Sequence, residues 1–238
     1  ADLLANDGDA DGDALELVEV GGAVGGSVTL RPDGHVVFTP APDHNGEAGF
    51  TYTVRDARGA LSTAFVAVTV QAVNDAPVAA ADALTVAEDS VLTFDAAFLL
   101  DNDGDVDTSD ILEMVSVGGA VGGTASLGAD GLVTFVPQAD FHGEASFTYV
   151  VRDSSGATAQ AVARIQVTPR NDAPVAAADS FTATEDHAIS LSAASLLAND
   201  TDVDGDALTV VAVDQAVGGT VSLGADGQVV FTPAPDFH

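Results

Sequence analysis

One block of sequence occurs three times, and that repetition constrains the fold more than any single motif does. Leu3-Leu4-Ala5-Asn6-Asp7 recurs as Leu99-Leu100-Asp101-Asn102-Asp103 and as Leu196-Leu197-Ala198-Asn199-Asp200. Asn74-Asp75-Ala76-Pro77-Val78 recurs as Asn171-Asp172-Ala173-Pro174-Val175, and Glu88-Asp89 recurs as Glu185-Asp186. Phe50-Thr51-Tyr52-Thr53-Val54-Arg55-Asp56 matches residues 147–153. A period of 96 or 97 residues places one copy at 1–73, without its first quarter, and a whole copy at 74–170. The third copy, 171–238, stops before its last two strands. About 97 residues is ordinary domain size, so the copies read as beads in a row rather than thin solenoid turns. Because position 1 falls inside a motif, the chain reads as cut from something longer.

Each bead reads as all-β. Gly49-Phe50-Thr51-Tyr52-Thr53-Val54 and Phe65-Val66-Ala67-Val68-Thr69-Val70 are short, β-branched or aromatic, and alternate with period two. Asp33-Gly34, Asp130-Gly131 and Asp226-Gly227 are dipeptides that suit tight hairpins. About seven such strands per bead is the count of a β-sandwich. No stretch carries a convincing helical period.

Charge then limits the function. Thirty Asp and seven Glu face six Arg and no Lys, for a formal net charge of −31. A phosphate backbone or an anionic membrane surface needs cationic partners, so nucleic-acid binding and membrane docking are excluded. Disorder is excluded too, since 47% of residues are hydrophobic and Met114 to Ala129 carry no charge at all. The acids must sit in loops between neutral strands. With no cysteine, disulfides and thiolate metal sites are ruled out, and no run approaches a membrane span.

The acids are patterned. Asp7-Gly8-Asp9-Ala10-Asp11-Gly12-Asp13 has counterparts in Asp103-Gly104-Asp105-Val106-Asp107 and in Asp200-Thr201-Asp202-Val203-Asp204-Gly205-Asp206. Carboxylates at every second residue of a turn converge their oxygens. Calcium accepts six to eight oxygens at about 2.3–2.6 Å in such flexible geometry. Without an ion, two carboxylates about 4 Å apart repel by roughly 4 kcal/mol at an effective dielectric near 20. The loops are not EF-hands: the twelfth position is Val18 or Val211 where a bidentate Glu is required, and a strand follows.

These motifs together resemble the cadherin-like tandem repeats of large bacterial surface and secreted adhesins, often exported by type I secretion with RTX tails. The Asn-Asp-Ala-Pro junction is similar to the calcium-binding linker of cadherins. Val86-Ala87-Glu88 corresponds to the family's early glutamate, Asp202-Val203-Asp204-Gly205 to its paired aspartates, and Val54-Arg55-Asp56-Ala57-Arg58-Gly59 to its late Asp-Gly motif. The resemblance implies a linear array of Ig-like or cadherin-like β-sandwiches with calcium at the joints. It assigns Asn74, Asp75, Asp103, Asp105, Asp107 and Asp153 to the joint between copies one and two. It assigns Glu88, Asn171, Asp172, Asp200, Asp202 and Asp204 to the next joint. Asp7, Asp9, Asp11 and Asp56 form the top of copy one. Asp140 and Glu144 stand in place of the cadherin Asp-Arg-Glu triplet, which this chain lacks.

Other readings stand beside these. The acidic loops would also suit a high-salt habitat, and Asn74 and Asn171 would also suit Asx-turns before proline. Arg55 and Arg152 are expected to pair with nearby acids. His142 and His238 share one repeat position without metal-site spacing and read as turn residues, and no catalytic motif occurs. The implied protein is a non-enzymatic, calcium-stiffened extender of an extracellular bacterial adhesin, secreted or on the cell surface. Its partners are neighbouring repeats, and beyond them other copies of itself or a host or surface ligand reached through further domains. A directly adhesive or glycan-binding module, and a filament or surface-layer protein joined by lateral or strand-exchange contacts, are the alternatives.

Overall fold

The computed structural model describes residues 3–236. Among them the regular structure is almost entirely β, as the period-two segments require. The first repeat holds β1 (Glu16–Val24), β2 (Gly26–Leu30), β3 (Val36–Pro40), β4 (Gly46–Arg55) and β5 (Leu61–Val70). The middle repeat holds β6 (Asp82–Ala87), β7 (Leu92–Asp95), β8 (Glu113–Val121), β9 (Gly123–Leu127), β10 (Leu132–Pro137), β11 (Gly143–Arg152) and β12 (Thr158–Thr168). The third holds β13 (Ile189–Ser192), β14 (Gly219–Leu223) and β15 (Gln228–Pro233). Two single-turn helices, α1 (Ala97–Leu100) and α2 (Ala193–Leu196), occupy equivalent places in the second and third repeats.

The middle repeat has the seven strands expected of a sandwich, in sheets ordered β6-β12-β11-β8 and β7-β10-β9. In the first repeat the order is β1-β4-β5 beside β2-β3, and in the third β13-β15-β14. β4 pairs antiparallel with β1 and β5, β2 with β3, β10 with β7 and β9, and β15 with β13 and β14, whereas β6 and β12 run parallel from Ala163↔Asp82 to Thr168↔Ala87.

The hairpins form where the Asp-Gly dipeptides predict them. Gly34, Gly131 and Gly227 take φ of +83°, +79° and +78°, a region closed to most side chains. The preceding Asp33, Asp130 and Asp226 each accept the backbone N–H two residues on. Residues 207–218 of the third repeat differ from expectation. Their counterparts are β1 and β8, which ladder onto β4 and β11, but this stretch makes no ladder within the chain.

The chain packs as two compact units. One comprises the described residues up to 80 with 96–116 and 149–161; the other comprises 81–95, 117–148 and 162 onward. Each therefore contains one of the two Asn-Asp-Ala-Pro junctions.

In the first unit Phe50, Tyr52 and Val54 project from β4 to one side and are buried, with Phe50 stacked on Phe38 at 6.0 Å between centroids. Leu99, fully buried on α1, anchors the helical turn that leads into the acidic loop starting at Asp103. In the second unit Val133, Phe135, Phe147, Ile165 and Val167 form the core, and Phe135 stacks on Phe147 at 6.2 Å. The alternation of buried and open residues along β11 and β12 follows directly from the strand period.

Leu99→Ala should therefore cost about 2–5 kcal/mol, the range for emptying a closed apolar site. Val121→Thr, on an exposed strand position, should stay within about 0.5 kcal/mol. Denaturant unfolding of both variants measures the contrast, and equal losses would refute this placement of the core.

Candidate functional site

Both junctions are closed by the same backbone arrangement, set by the repeat. In the first unit Val78 exchanges N–H···O bonds of 2.7 and 3.0 Å with Gly104. Ala80 N–H donates to Asp103 Oδ1 at 2.7 Å, and Asp75 N–H to Asp107 Oδ2 at 2.8 Å. In the second unit Val175 and Thr201 form the matching bridge at 2.8 and 3.0 Å. Ala177 N–H donates to Asp200 Oδ1 at 2.8 Å, and Asp172 N–H to Asp204 Oδ2 at 2.7 Å. Asp103 and Asp200 thus fasten the linker to the loop. Proline follows in each linker, fixing φ where the chain leaves the junction.

Around this zipper the carboxylates converge. In the first unit Asp105, Asp110 and Asp153 bring oxygens within 4.8 Å of one another. Asp153, only 4% exposed, sits in the turn after β11. Its Oδ1 accepts from the backbone of Ser155, Gly156 and Ala157 at 2.9, 2.6 and 2.8 Å, and its Oδ2 from Asn74 Nδ2 at 2.8 Å. The Asn74 amide, aided by those backbone donors, holds the Asp153 carboxyl below its ordinary range. Asp110 is pushed the other way by burial, and then by the charges of Asp153, Asp105 and Asp107.

The second unit holds three groups. Glu88, Asp172 and Asp204 form one, Asp89, Asp140 and Asp172 another, and Asp202, Asp204 and Asp206 a third, each within the same 4.8 Å limit. Glu88 follows β6 and is 1% exposed. Its Oε1 accepts Arg170 N–H at 2.6 Å, and its Oε2 lies 3.6 Å from His142 Nδ1. Asp89 and Asp140 both adopt left-handed backbone, φ +56° and +57°, and Asp140 N–H donates to Asp89 Oδ1 at 3.2 Å. Burial raises the Asp172 carboxyl, with Asp89, Asp204, Asp140 and Glu88 adding to the effect.

Several of these oxygens have no hydrogen-bond partner although buried, namely one each on Asp103, Asp105, Asp110 and Asp172, together with Asp13. A buried unpartnered carboxylate oxygen is costly unless a cation meets it. The donor set is all oxygen and strongly anionic, which fits a hard divalent ion and not a soft one.

Of the residues expected from sequence, the structure brings Asp105 together with Asp153, and Glu88 with Asp172 and Asp204. Asp202 joins Asp204. Asp110, Asp206 and Asp89 were not expected there, and Asp140 was placed at the base of the repeat. Asn74 and Asn171 turn their amides to the carbonyls of Asp75 and Asp172 at 2.6 and 2.7 Å, as an Asx-type local bond would. In the first repeat Asp7 accepts Tyr52 Oη–H, at 2.8 Å to Oδ1, and that bond raises the tyrosine. Asp9 Oδ1 accepts the N–H of Asp11 and of Asp13, and Asp56 Oδ1 accepts those of Arg58 and Ala60. Asp11 meets Arg58 instead of a cluster. Arg55 and Arg152 pair with Glu16 and Glu113 at 2.6 and 2.9 Å, as expected. His238 lies outside the described residues.

Comparison with known proteins follows the same segmentation. Residues 74–169 match the family described as bacterial cadherin-like domain, 170–238 the cadherin-like domain, and 1–69 the bacterial Ig domain. No curated protein matches the chain by sequence. Among solved structures it is similar to human mucin-like protocadherin EC1-2, with 19% identity, a TM-score of 0.41, and coverage of 66% of this chain and 85% of that one. It is also similar to the protocadherin gammaB7 EC3-6 cis-dimer structure, with 17% identity and a TM-score of 0.49 over 96% of this chain and 60% of that one. An endo-fucoidan hydrolase matches at 16% identity and a TM-score of 0.26, over 94% of this chain and 35% of that one. The chain spans 41% of the length of a protocadherin gammaB4 extracellular domain.

The opposed carboxyl shifts give a pH signature for the ion-free protein. Stability tied to the raised Asp110 and Asp172 is present below the ordinary value of 3.8 and lost as pH rises through their higher folded values. Stability tied to Asp153 is present above 3.8 and lost as pH falls through its depressed folded value. In chelator, the melting temperature should climb as pH drops from neutrality and then fall below about 3.8. Asp110→Asn should flatten part of the climb, and an unchanged profile in that variant would refute the crowding described for Asp110.

Proposed function

We propose that this chain, a tandem of bacterial cadherin-like and Ig domains, is a calcium-stiffened extender segment of an extracellular bacterial protein. Its repeats run 1–73, 74–170 and 171–238 in this reading. The observation that carries the proposal is the group Glu88, Asp172 and Asp204. Glu88 comes from the base of the middle repeat, Asp172 from the linker and Asp204 from the acidic loop of the third repeat. Three segments that belong to different parts of the array thus present carboxylates to one point.

Glu88, Asp172 and Asp204 would hold one ion, with Asp89 and Asp140 beside them; Asp105, Asp110 and Asp153 would hold another at the preceding junction. Bound calcium supplies positive charge and oxygen coordination. The protein's own part is to gather and orient the carboxylates. Arg170 N–H fixes Glu88, and Asp172 N–H fixes Asp204. Asn74 and the Ser155–Ala157 backbone fix Asp153. Without a cation, the carboxylates would repel one another and loosen the linker; with one, their attraction to a shared charge would fix the angle between neighbours. Low calcium inside a cell would keep such an array loose, and millimolar calcium outside would order it.

Small-angle scattering and thermal melts in millimolar calcium, then in excess chelator, test the proposal. An ion present at a hundredfold over its dissociation constant stabilises the ordered state by about 2.7 kcal/mol. The melting temperature should therefore fall on chelation and the scattering should report a more flexible chain. Asp172→Asn should remove a large share of the calcium-dependent increment. Identical shape and stability in both buffers would sink the proposal, and concentration-dependent assembly would favour a filament instead.

A further inference from the structure

The acidic loop of the first repeat is faced by an arginine where that of the second is faced by a serine. After Asp56 and Asp153 the backbone follows the same turn. Arg58 N–H and Ser155 N–H each donate to the preceding aspartate at 2.9 Å, and Gly59 and Gly156 take φ of +93° and +99°. Ser155 is the counterpart of Arg58, 97 residues on. Its short side chain carries no charge. Arg58 reaches back across the loop instead: Nη1 lies 2.6 Å from Asp11 Oδ2, and Nε lies 3.5 Å from Asp13 Oδ2. Asp13 is the counterpart of Asp110, and its Oδ2 is buried without a hydrogen bond. Asp105, Asp110 and Asp153 of the middle repeat draw within 4.8 Å of one another, whereas their counterparts Asp9, Asp13 and Asp56 are in no such group among the described residues.

We infer that Arg58 is the resident cation of the first repeat's acidic loop, bridging Asp11 and Asp13 so that this loop keeps its shape without a divalent ion. The inference rests on the calcium reading for the other loops. Arg58 is tied to the loop by its own backbone bond to Asp56, so its guanidinium is held at high effective concentration beside the two carboxylates. The guanidinium offers its donors in a planar fork that matches carboxylate oxygens. A divalent ion entering at Asp9, Asp13 and Asp56 would have to displace that fork and would meet its repulsion. The ion dependence of the array is therefore uneven: it falls on the loops of the second and third repeats, and the first repeat carries part of its own counter-charge at this point.

Terbium, a calcium substitute whose emission is sensitised by nearby tyrosine, separates the loops. The chain has two tyrosines, and each lies against the first aspartate of one acidic loop, Tyr52 on Asp7 and Tyr149 on Asp103. In the full chain, Tyr52→Phe should leave the sensitised emission unchanged. Arg58→Ser should raise it severalfold, and the increase should vanish in the Arg58→Ser, Tyr52→Phe double variant. Ser155→Arg should do the reverse in the middle repeat and lower the emission of the parent chain. Melting curves establish that each variant is folded, which the exposed position of Arg58 favours. No gain in Arg58→Ser, or a parent emission that already depends on Tyr52, would overturn the inference. A parent chain with no sensitised emission and no calcium uptake by calorimetry would overturn the calcium reading alone, leaving Arg58 to be judged by the gain or its absence in Arg58→Ser.

Discussion

The crowding of carboxylates at the junctions is the constraint on which the rest of this structure depends. Among the described residues four groups of three acids lie with their oxygens within 4.8 Å, and Asp172 and Asp204 each belong to two of them. Such proximity is maintained by donors: Asp103 Oδ1 accepts Ala80 N–H and Asp105 Oδ1 accepts Asp107 N–H while the Oδ2 of each stays unpartnered, and Asn74 holds Asp153. The arrangement is stable only if the neutral strands behind it are packed well enough to bear the repulsion. That explains why Leu99, fully buried, sits immediately before Asp103: the apolar anchor and the acidic loop are separated by a single helical turn. The same short helix recurs as α2 ahead of Asp200, where the Ser192 side chain caps it by accepting Ser195 N–H at 3.1 Å.

Much of this was legible in the sequence because a repeat reveals what its copies share. The strands and the Asp-Gly hairpins follow from motifs that recur in register, and the family resemblance placed Glu88, Asp172 and Asp204 at one joint. What stayed hidden depends on side-chain direction or on single-copy changes. Asp110 is displaced by the one-residue insertion after Asp107, so its equivalence to Asp13 and Asp206 is masked by spacing. Asp89 and Asp140 meet only because both take positive φ, which no spacing rule announces for a residue other than glycine. Asp103 and Asp200 look like ligands in a D-x-D-x-D series, yet one oxygen of each is committed to a linker N–H.

The third repeat shows how far local pattern reaches. Residues 207–218 carry the same alternation as β1 and β8, yet they form no ladder in this chain. Strand identity is a property of a pair of segments, and in the first two repeats the partner is supplied by β4 or β11. In the same repeat β13, β15 and β14 do pair, in that order. Period-two patterning thus specifies which residues can be a strand, and topology decides whether they are.

The placement of the six arginines completes the logic. Glu16 stands directly opposite Arg55 in the β1–β4 register, and their side chains pair across the sheet at 2.6 Å. Arg152 and Glu113 repeat that pairing between β11 and β8 at 2.9 Å. Exposed pairs of this kind contribute little to stability, about 0–1 kcal/mol, but they take two of the few cations away from the loops. With thirty-seven acids against six bases, the junctions cannot be neutralised from within the chain. Lys, which could reach across a surface from many positions, is absent altogether. Against that shortage, Arg58 places its guanidinium between Asp11 and Asp13 in the acidic loop of the first repeat.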